Sequence, residues 1–136
     1  MSWSNPRKSC LFSVHHPSQE TIAYALNQPD TYYENFAATY TEKRDLILSV
    51  LAGSGLKALV PQGTYFALAD FSDVFDGTPL EFTRYLIKEL GVACIPTESL
   101  YSAQHAHLVE KYVRFSFCKD DEALRLAGER LAKLKG

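Results

Sequence analysis

Hydrophobic residues recur at helical spacing over the first part of the chain. Residues 18–27 predict a short helix, which ends or bends at Pro29. A longer helix is predicted over residues 30–52, beginning with a capping box at Thr31 and ending at Gly53-Ser54-Gly55. Its apolar positions fall near one side, so the helix is expected to pack on a core. These positions are Phe36, Tyr40, Ile47, Val50 and Leu51.

Two further helices are predicted in the second half of the chain. Residues 78–90 open with Thr78-Pro79-Leu80-Glu81, a capping box with proline at the first helical position, and stop at Gly91. The last helix begins at Asp120, where acidic side chains suit the positive end of the helix dipole. Its apolar positions, spaced by three and four residues, are Leu124, Ala127, Leu131 and Leu134.

The period changes to two between these helices, which predicts strands at residues 57–60, 65–71 and 92–95 and around Arg114. The turn Pro61-Gln62-Gly63 indicates that the first two strands form an antiparallel pair. The predicted order is α-α-β-β-α-β-β-α. It favours an α/β fold class (an α+β sandwich), with a small mixed β-sheet covered by helices on one face.

The strand around Arg114 has one apolar face and one polar face. Val113, Phe115 and Phe117 alternate with Arg114, so the cation is expected to point away from the core. A guanidinium there could bind a carboxylate or phosphate through two parallel hydrogen bonds. The pattern alone leaves open a plain surface arginine on an edge strand.

Composition narrows the classes of function. The chain has 136 residues, 46% hydrophobic residues and a formal net charge of -2, which is ordinary for a single globular domain. It contains no basic cluster for nucleic acid and no apolar run long enough to span a membrane. Its three cysteines form no C-x-x-C pair and fit a reducing compartment, and Cys94 and Cys118 are expected to be buried, inert thiols.

No combination of residues predicts a metal site or a self-sufficient catalytic site. His105 and His107 have an alternating spacing, but no third ligand lies near them in sequence, so they are interpreted as solvated loop residues. The adjacent His15 and His16 cannot easily share a metal in regular structure. Gly53-Ser54-Gly55 follows a helix, which is typical of a C-cap and not of a phosphate loop.

Several segments, in order, resemble one protein family. Together they resemble the C-terminal part of the fold-type I, pyridoxal-phosphate-dependent class I/II aminotransferases, in the kynurenine and methionine (glutamine-type) branch. The resemblance covers residues 9–136 and assigns them to the small domain, while residues 1–8 match nothing. The segments are Leu11-Phe12-Ser13-Val14, Pro17-Ser18-Gln19, Tyr40-Thr41-Glu42-Lys43-Arg44-Asp45, Val60-Pro61-Gln62-Gly63-Thr64-Tyr65-Phe66, Leu68-Ala69-Asp70-Phe71-Ser72, Gly91-Val92-Ala93-Cys94-Ile95-Pro96 and Tyr112-Val113-Arg114-Phe115-Ser116-Phe117-Cys118-Lys119-Asp120.

The resemblance implies a ligand for Arg114. In that family the matching arginine binds the α-carboxylate of the substrate, while an amino group passes from an L-amino acid to a 2-oxo acid. The complete enzyme uses pyridoxal 5'-phosphate and forms a homodimer, in which Phe12 would approach the active site of the neighbouring subunit. Ser13 departs from the family pattern, because the kynurenine type has histidine at this position.

The family's cofactor-binding groups belong to a large domain that would precede residue 1. They are the Schiff-base lysine, an aspartate on the pyridine nitrogen and an Asn/Tyr pair, and none is expected here. Transamination by this chain alone is therefore not expected. A non-catalytic module that pairs with full-length homologues, a carboxylate-binding domain and a fragment of a related C–S lyase remain alternatives. The expected compartment is the cytoplasm, with the mitochondrial matrix left open.

Overall fold

A computed structural model describes residues 15–135 of the chain, which divides into two compact units, residues 1–37 and 38–136. In the first unit, helix α1 (His16–Leu26) precedes the start of helix α2 (Asp30–Gly53). The Tyr33 hydroxyl donates a hydrogen bond to the carbonyl of Ala25 at 2.6 Å. Helix α1 has no buried residue, and its Ile22 and Leu26 side chains are exposed.

The two predicted N-terminal helices are present, with one correction to a cap. Helix α2 begins at Asp30, so Thr31 lies in its first turn and is not the N-cap residue. The helix ends as its glycines predict. Gly55 has a φ of 87°, and the Leu56 amide donates to the Leu51 carbonyl at 3.1 Å, which is the hydrogen bond of a Schellman motif.

The second unit contains a four-stranded sheet in the order β1-β2-β4-β3. Each pairing among the described strands is antiparallel, so the expected mixed sheet is wrong in strand direction, whereas the α/β fold class is confirmed. The predicted β1–β2 antiparallel pair is also confirmed. The strands are β1 (Lys57–Ala58), β2 (Phe66–Asp70), β3 (Ile95–Pro96) and β4 (Tyr112–Ser116).

β2 is one residue shorter at each end than the sequence predicts, and β1 and β3 differ more. β1 stops at Ala58, although the next amide, that of Leu59, still donates to the Leu68 carbonyl at 2.8 Å. β3 begins at Ile95 and not at Val92, because the Val92 amide donates to the carbonyl of Leu86 in the preceding helix.

The two C-terminal helices match their sequence signals. Helix α3 (Pro79–Tyr85) starts with the predicted capping box between Thr78 and Glu81. It continues as a π-helical turn, Leu86–Leu90, which ends at Gly91 with a φ of 64°. Helix α4 (Asp121–Leu131) follows Asp120, its N-cap residue.

One face of the sheet builds the core of the second unit. Val113, Phe115 and Phe117 are 0%, 4% and 1% exposed, as the alternation around Arg114 predicts. Helices α2, α3 and α4 supply the residues that pack on this face, which confirms the expected covering of helices on one side. The buried helical residues of the core are Ile47, Leu51, Phe82, Leu86, Leu124 and Leu131.

Residues 97–111, which connect β3 to β4, contain two short 3-10 segments, Thr97–Leu100 and Ala106–Val109. The buried Thr97 hydroxyl lies 3.1 Å from the Val109 carbonyl and 2.6 Å from the Tyr112 carbonyl. It therefore ties the loop to the start of β4. Within residues 15–135, no helix combines the length and hydrophobicity needed to cross a membrane.

Candidate carboxylate-binding site

Arg114 occupies the centre of the sheet's second face. Strand β4 is flanked on both sides, with Leu68 of β2 and Ile95 of β3 directly opposite Arg114. Arg114 is half-buried between its buried neighbours Val113 and Phe115. The plain alternative of a surface arginine on an edge strand is therefore wrong, because β4 is an interior strand.

The guanidinium of Arg114 stacks on an aromatic ring. Its Cζ atom lies 4.4 Å from the centroid of Phe66, which belongs to the neighbouring strand β2. A cation over a ring face is attracted by the ring quadrupole, so this contact favours one position of the guanidinium. This arrangement prepares the edge of the guanidinium for a planar anion.

Arg114 also has no acidic partner among residues 15–135. Four other cations of the same unit each lie within 4.0 Å of an aspartate, whereas no such ion pair includes Arg114. A half-buried cation without an internal counter-ion attracts an external anion more strongly than a neutralised one. The four paired cations are Lys43, Arg44, Lys57 and Lys111.

Arg114 lies in a cavity of about 310 Å³. Aromatic and aliphatic side chains form much of its wall, and no carboxylate lines it. The combination of apolar walls and a few polar groups is typical of small-molecule sites. The lining residues are Tyr65, Phe66, Ala93, Cys94, Ile95, Arg114, Ser116 and Lys119.

The cysteine in this cavity is not an activated nucleophile. Burial raises the pKa of Cys94 to about 11, and the Thr83 hydroxyl, 3.3 Å from the sulfur, opposes this only in part. The thiol is therefore neutral near pH 7, as expected for an inert cysteine, but Cys94 is partly buried and not fully buried as predicted. The expectation for Cys118 is wrong, because its side chain is exposed and lies 3.1 Å from the Ser116 hydroxyl. Cys118 continues the alternation of Arg114 and Ser116, on the side opposite the buried Phe115 and Phe117, so the core does not enclose it.

The other candidate residues lie apart from this cavity or outside the described part of the chain. His105 and His107 are exposed, and the His105 ring contacts Ser102 at 3.0 Å. Within residues 15–135 no group of three His, Cys, Asp or Glu side chains could hold a metal ion. Phe12 and Ser13 lie outside the described residues, so the predicted contact with a neighbouring subunit stays a prediction.

The sequence did not identify Phe66 and Lys119 as neighbours of Arg114. Phe66 lies on the polar side of β2, but its contact with Arg114 depends on the register between β2 and β4, which pairs Phe66 with Ser116. Lys119 follows the end of β4 and reaches the cavity from a loop. Neither position has a local sequence signal, because both depend on tertiary packing.

A family model described as aminotransferase class I and II matches residues 5–131. The chain belongs to this family. It is 38% identical to the kynurenine–oxoglutarate transaminase of Dictyostelium discoideum over 97% of the chain and 34% of that protein. It is 36% identical to the methionine aminotransferase of Escherichia coli over 90% of the chain and 31% of that protein.

Solved structures give the same result. The structure of YbdL from Escherichia coli, described as having a methionine aminotransferase function, superposes with a TM-score of 0.78 and 33% identity. The superposition covers 93% of this chain and 32% of YbdL. This aminotransferase-family chain thus spans about a third of the length of the relatives that it matches.

Proposed function

We propose that this chain is the C-terminal small domain of an aminotransferase and that Arg114 binds the α-carboxylate of the amino-acid and 2-oxo-acid substrates. The observation that carries the proposal is the environment of Arg114: an interior strand, an aromatic ring beneath the guanidinium and no acidic partner among residues 15–135. The family match supports it, because aminotransferases act on amino acids and 2-oxo acids.

The contribution of Arg114 to the reaction is positional. A carboxylate held by two parallel hydrogen bonds has a fixed orientation as well as a fixed place. The rest of the substrate is then directed consistently toward the reacting groups of the complete enzyme, which lowers the entropic part of the barrier. The strand supplies rigidity, because its neighbours Val113 and Phe115 are locked in the core.

The residues around Arg114 do not fit pyridoxal 5'-phosphate, the cofactor of this family. The cofactor forms a Schiff base with a lysine, and such lysines are activated by desolvation or by a cationic neighbour. Lys119 lines the cavity but is exposed, and no acidic side chain is present there for the pyridine nitrogen. We therefore assign the cofactor to a large domain outside this sequence and expect this chain alone to be inactive.

The names of the relatives define the substrate candidates. By their names, one relative is a transaminase of kynurenine with oxoglutarate and another is a methionine aminotransferase. For this chain we propose an amino donor of the kynurenine, methionine, glutamine or aromatic type. The apolar walls of the cavity, including Tyr65, Phe66 and Ile95, are compatible with these side chains. A homodimer of the complete enzyme, located in the cytoplasm or the mitochondrial matrix, stays a prediction.

The test is substrate kinetics of the Arg114→Ala variant in a complete aminotransferase that carries this segment. Removing one partner of a buried charge pair costs about 3 kcal/mol, which is a factor on the order of 100 in kcat/KM. We expect kcat/KM to fall by this factor for the amino acid and to change little for its carboxamide, which lacks the negative charge.

Arg125→Ala is the matched control, because Arg125 is an exposed arginine on α4 that does not line the Arg114 cavity. It should change kcat/KM by less than about two-fold. An unchanged kcat/KM in Arg114→Ala, or equal losses in the two variants, would contradict the proposal.

A further inference from the structure

Thr97 directly follows β3, and its side chain is completely buried. Its hydroxyl lies 2.6 Å from the Tyr112 carbonyl and 3.1 Å from the Val109 carbonyl. A hydroxyl has one proton to donate, and the shorter contact identifies the Tyr112 carbonyl as its main acceptor. Loss of the donor to a carbonyl that is shielded from water is costly, so this hydrogen bond restrains the two backbone segments that it joins.

The backbone pairing between β3 and β4 is short. In the described part of the chain it consists of two residue pairs, whereas β2 and β4 form five. The next position in the register sets Thr97 opposite Tyr112, and there the backbone has already turned into a 3-10 segment. The Thr97 hydroxyl therefore takes the place of a backbone donor at this end of the ladder. The two pairs are Ile95 with Arg114 and Pro96 with Val113, and proline has no amide hydrogen to donate.

The position of β3 determines one wall of the Arg114 cavity. Ile95 lies directly opposite Arg114, and both side chains line the cavity. Phe66, the ring beneath the guanidinium, belongs to β2 and is fixed by the longer pairing on that side. Because β3 has fewer pairs, its alignment depends more strongly on the Thr97 hydroxyl. A shift of β3 would move Ile95 relative to the guanidinium and change the shape of the anion site.

We propose that Thr97 is a positioning residue for carboxylate binding, which keeps β3 aligned with β4 and so maintains the cavity around Arg114. The inference rests on the proposed function of Arg114 and adds the residue that holds its site in shape. Thr97 does not line the cavity, so it acts through the strand pairing and not through contact with the ligand. Small displacements matter here, because binding of a planar anion depends on the placement of the groups around it.

Titration of the 136-residue chain with pyruvate tests the inference, with the Kd measured from the Nε–Hε resonance of Arg114 in ¹⁵N–¹H NMR spectra. Thr97→Val replaces the hydroxyl by a methyl group of nearly the same size and removes the donor to Tyr112. We expect this variant to bind pyruvate about five-fold more weakly, as the loss of one hydrogen bond predicts. Thr97→Ser keeps the hydroxyl and should bind within about two-fold of the native chain.

Thr78→Ala is the matched control for a general loss of stability. It removes the cap of α3, and Thr78 does not line the Arg114 cavity. This variant should be less stable in urea but should retain the native Kd for pyruvate. If Thr97→Val unfolds in dilute buffer, all four chains are compared in trimethylamine N-oxide, an osmolyte that favours the folded state.

The outcomes separate this inference from the proposed function. A native Kd in folded Thr97→Val, an equal weakening in Thr78→Ala, or a Thr97→Ser variant as weak as Thr97→Val overturns the positioning role of Thr97 and leaves Arg114 as the carboxylate ligand. An Arg114 resonance that does not respond to pyruvate in the native chain overturns the proposed function itself.

Discussion

At the scale of single residues, three features define the candidate site. Arg114 is held between two buried neighbours, its guanidinium lies on the Phe66 ring, and no acidic side chain of residues 15–135 neutralises it. Ring contact and packing are compatible with binding, because neither uses the outer N–H donors. A structural ion pair would have used them.

The thiol of Cys94 gives a residue-scale prediction about pH. Because burial raises its pKa to about 11, only about one Cys94 in a thousand is a thiolate at pH 8. We expect iodoacetamide to alkylate the exposed Cys118 well before Cys94 at pH 8, and the rate at Cys94 to rise steeply as the pH approaches 11. Peptide mapping by mass spectrometry measures both sites in one sample.

The same alkylation in concentrated urea is the control, since unfolding removes the burial that raises the Cys94 pKa. Both cysteines should then react at similar rates. Equal rates in the folded chain at pH 8 would contradict the raised pKa of Cys94.

At the scale of elements, the start of α3 allows a direct test of local stability. The Thr78 hydroxyl accepts a hydrogen bond from the Glu81 amide at 3.2 Å, and the Glu81 carboxylate accepts one from the Thr78 amide at 2.9 Å. Thr78→Ala should lower the free energy of unfolding by about 1 kcal/mol, because a helix amide loses its cap. Urea denaturation monitored by circular dichroism gives this value, and Thr78→Ser, which keeps the oxygen, should cost much less.

The reciprocal hydrogen bonds also set the sign of the pH dependence. The hydrogen bonds from Thr78 to the Glu81 carboxylate lower the pKa of Glu81 below its ordinary value of 4.5. A lowered pKa in the folded state means that the contribution of Glu81 to stability is present above pH 4.5 and is lost as the pH falls through the folded-state pKa. The stability difference between the native chain and Glu81→Gln should therefore shrink between pH 6 and pH 3. A stability difference that stays constant between pH 6 and pH 3 would contradict the lowered pKa of Glu81.

Sequence patterns predicted the elements best where the signals were local. The capping box at Thr78, the glycine at position 91 and the alternation around Arg114 all depend on neighbouring residues, and the structure confirms them. Strand direction, the late start of β3 and the Phe66–Arg114 contact depend on pairing between distant segments. No local pattern encodes that register, so these features appear only in the fold.

At the scale of the whole molecule, the chain corresponds to about a third of its relatives. The family match supports the proposal that Arg114 binds a substrate carboxylate in the complete enzyme. Helix α1 has exposed apolar side chains, among them Ile22, Tyr24 and Leu26. Exposed apolar patches are typical of interaction surfaces. A non-catalytic module that pairs with full-length homologues stays a prediction.

The central claim is that Arg114 is a carboxylate ligand, and the most direct measurement follows its side chain. In ¹⁵N-labelled chain, the Nε–Hε resonance of Arg114 is identified by its loss in Arg114→Lys. We expect this resonance to shift in a saturable way on addition of pyruvate and to remain in place on addition of pyruvamide, because only the acid offers two charged oxygens to the guanidinium. The Nε–Hε resonance of Arg125 should not shift with either compound. An Arg114 resonance that stays in place with pyruvate, or that shifts no more than that of Arg125, would contradict the account.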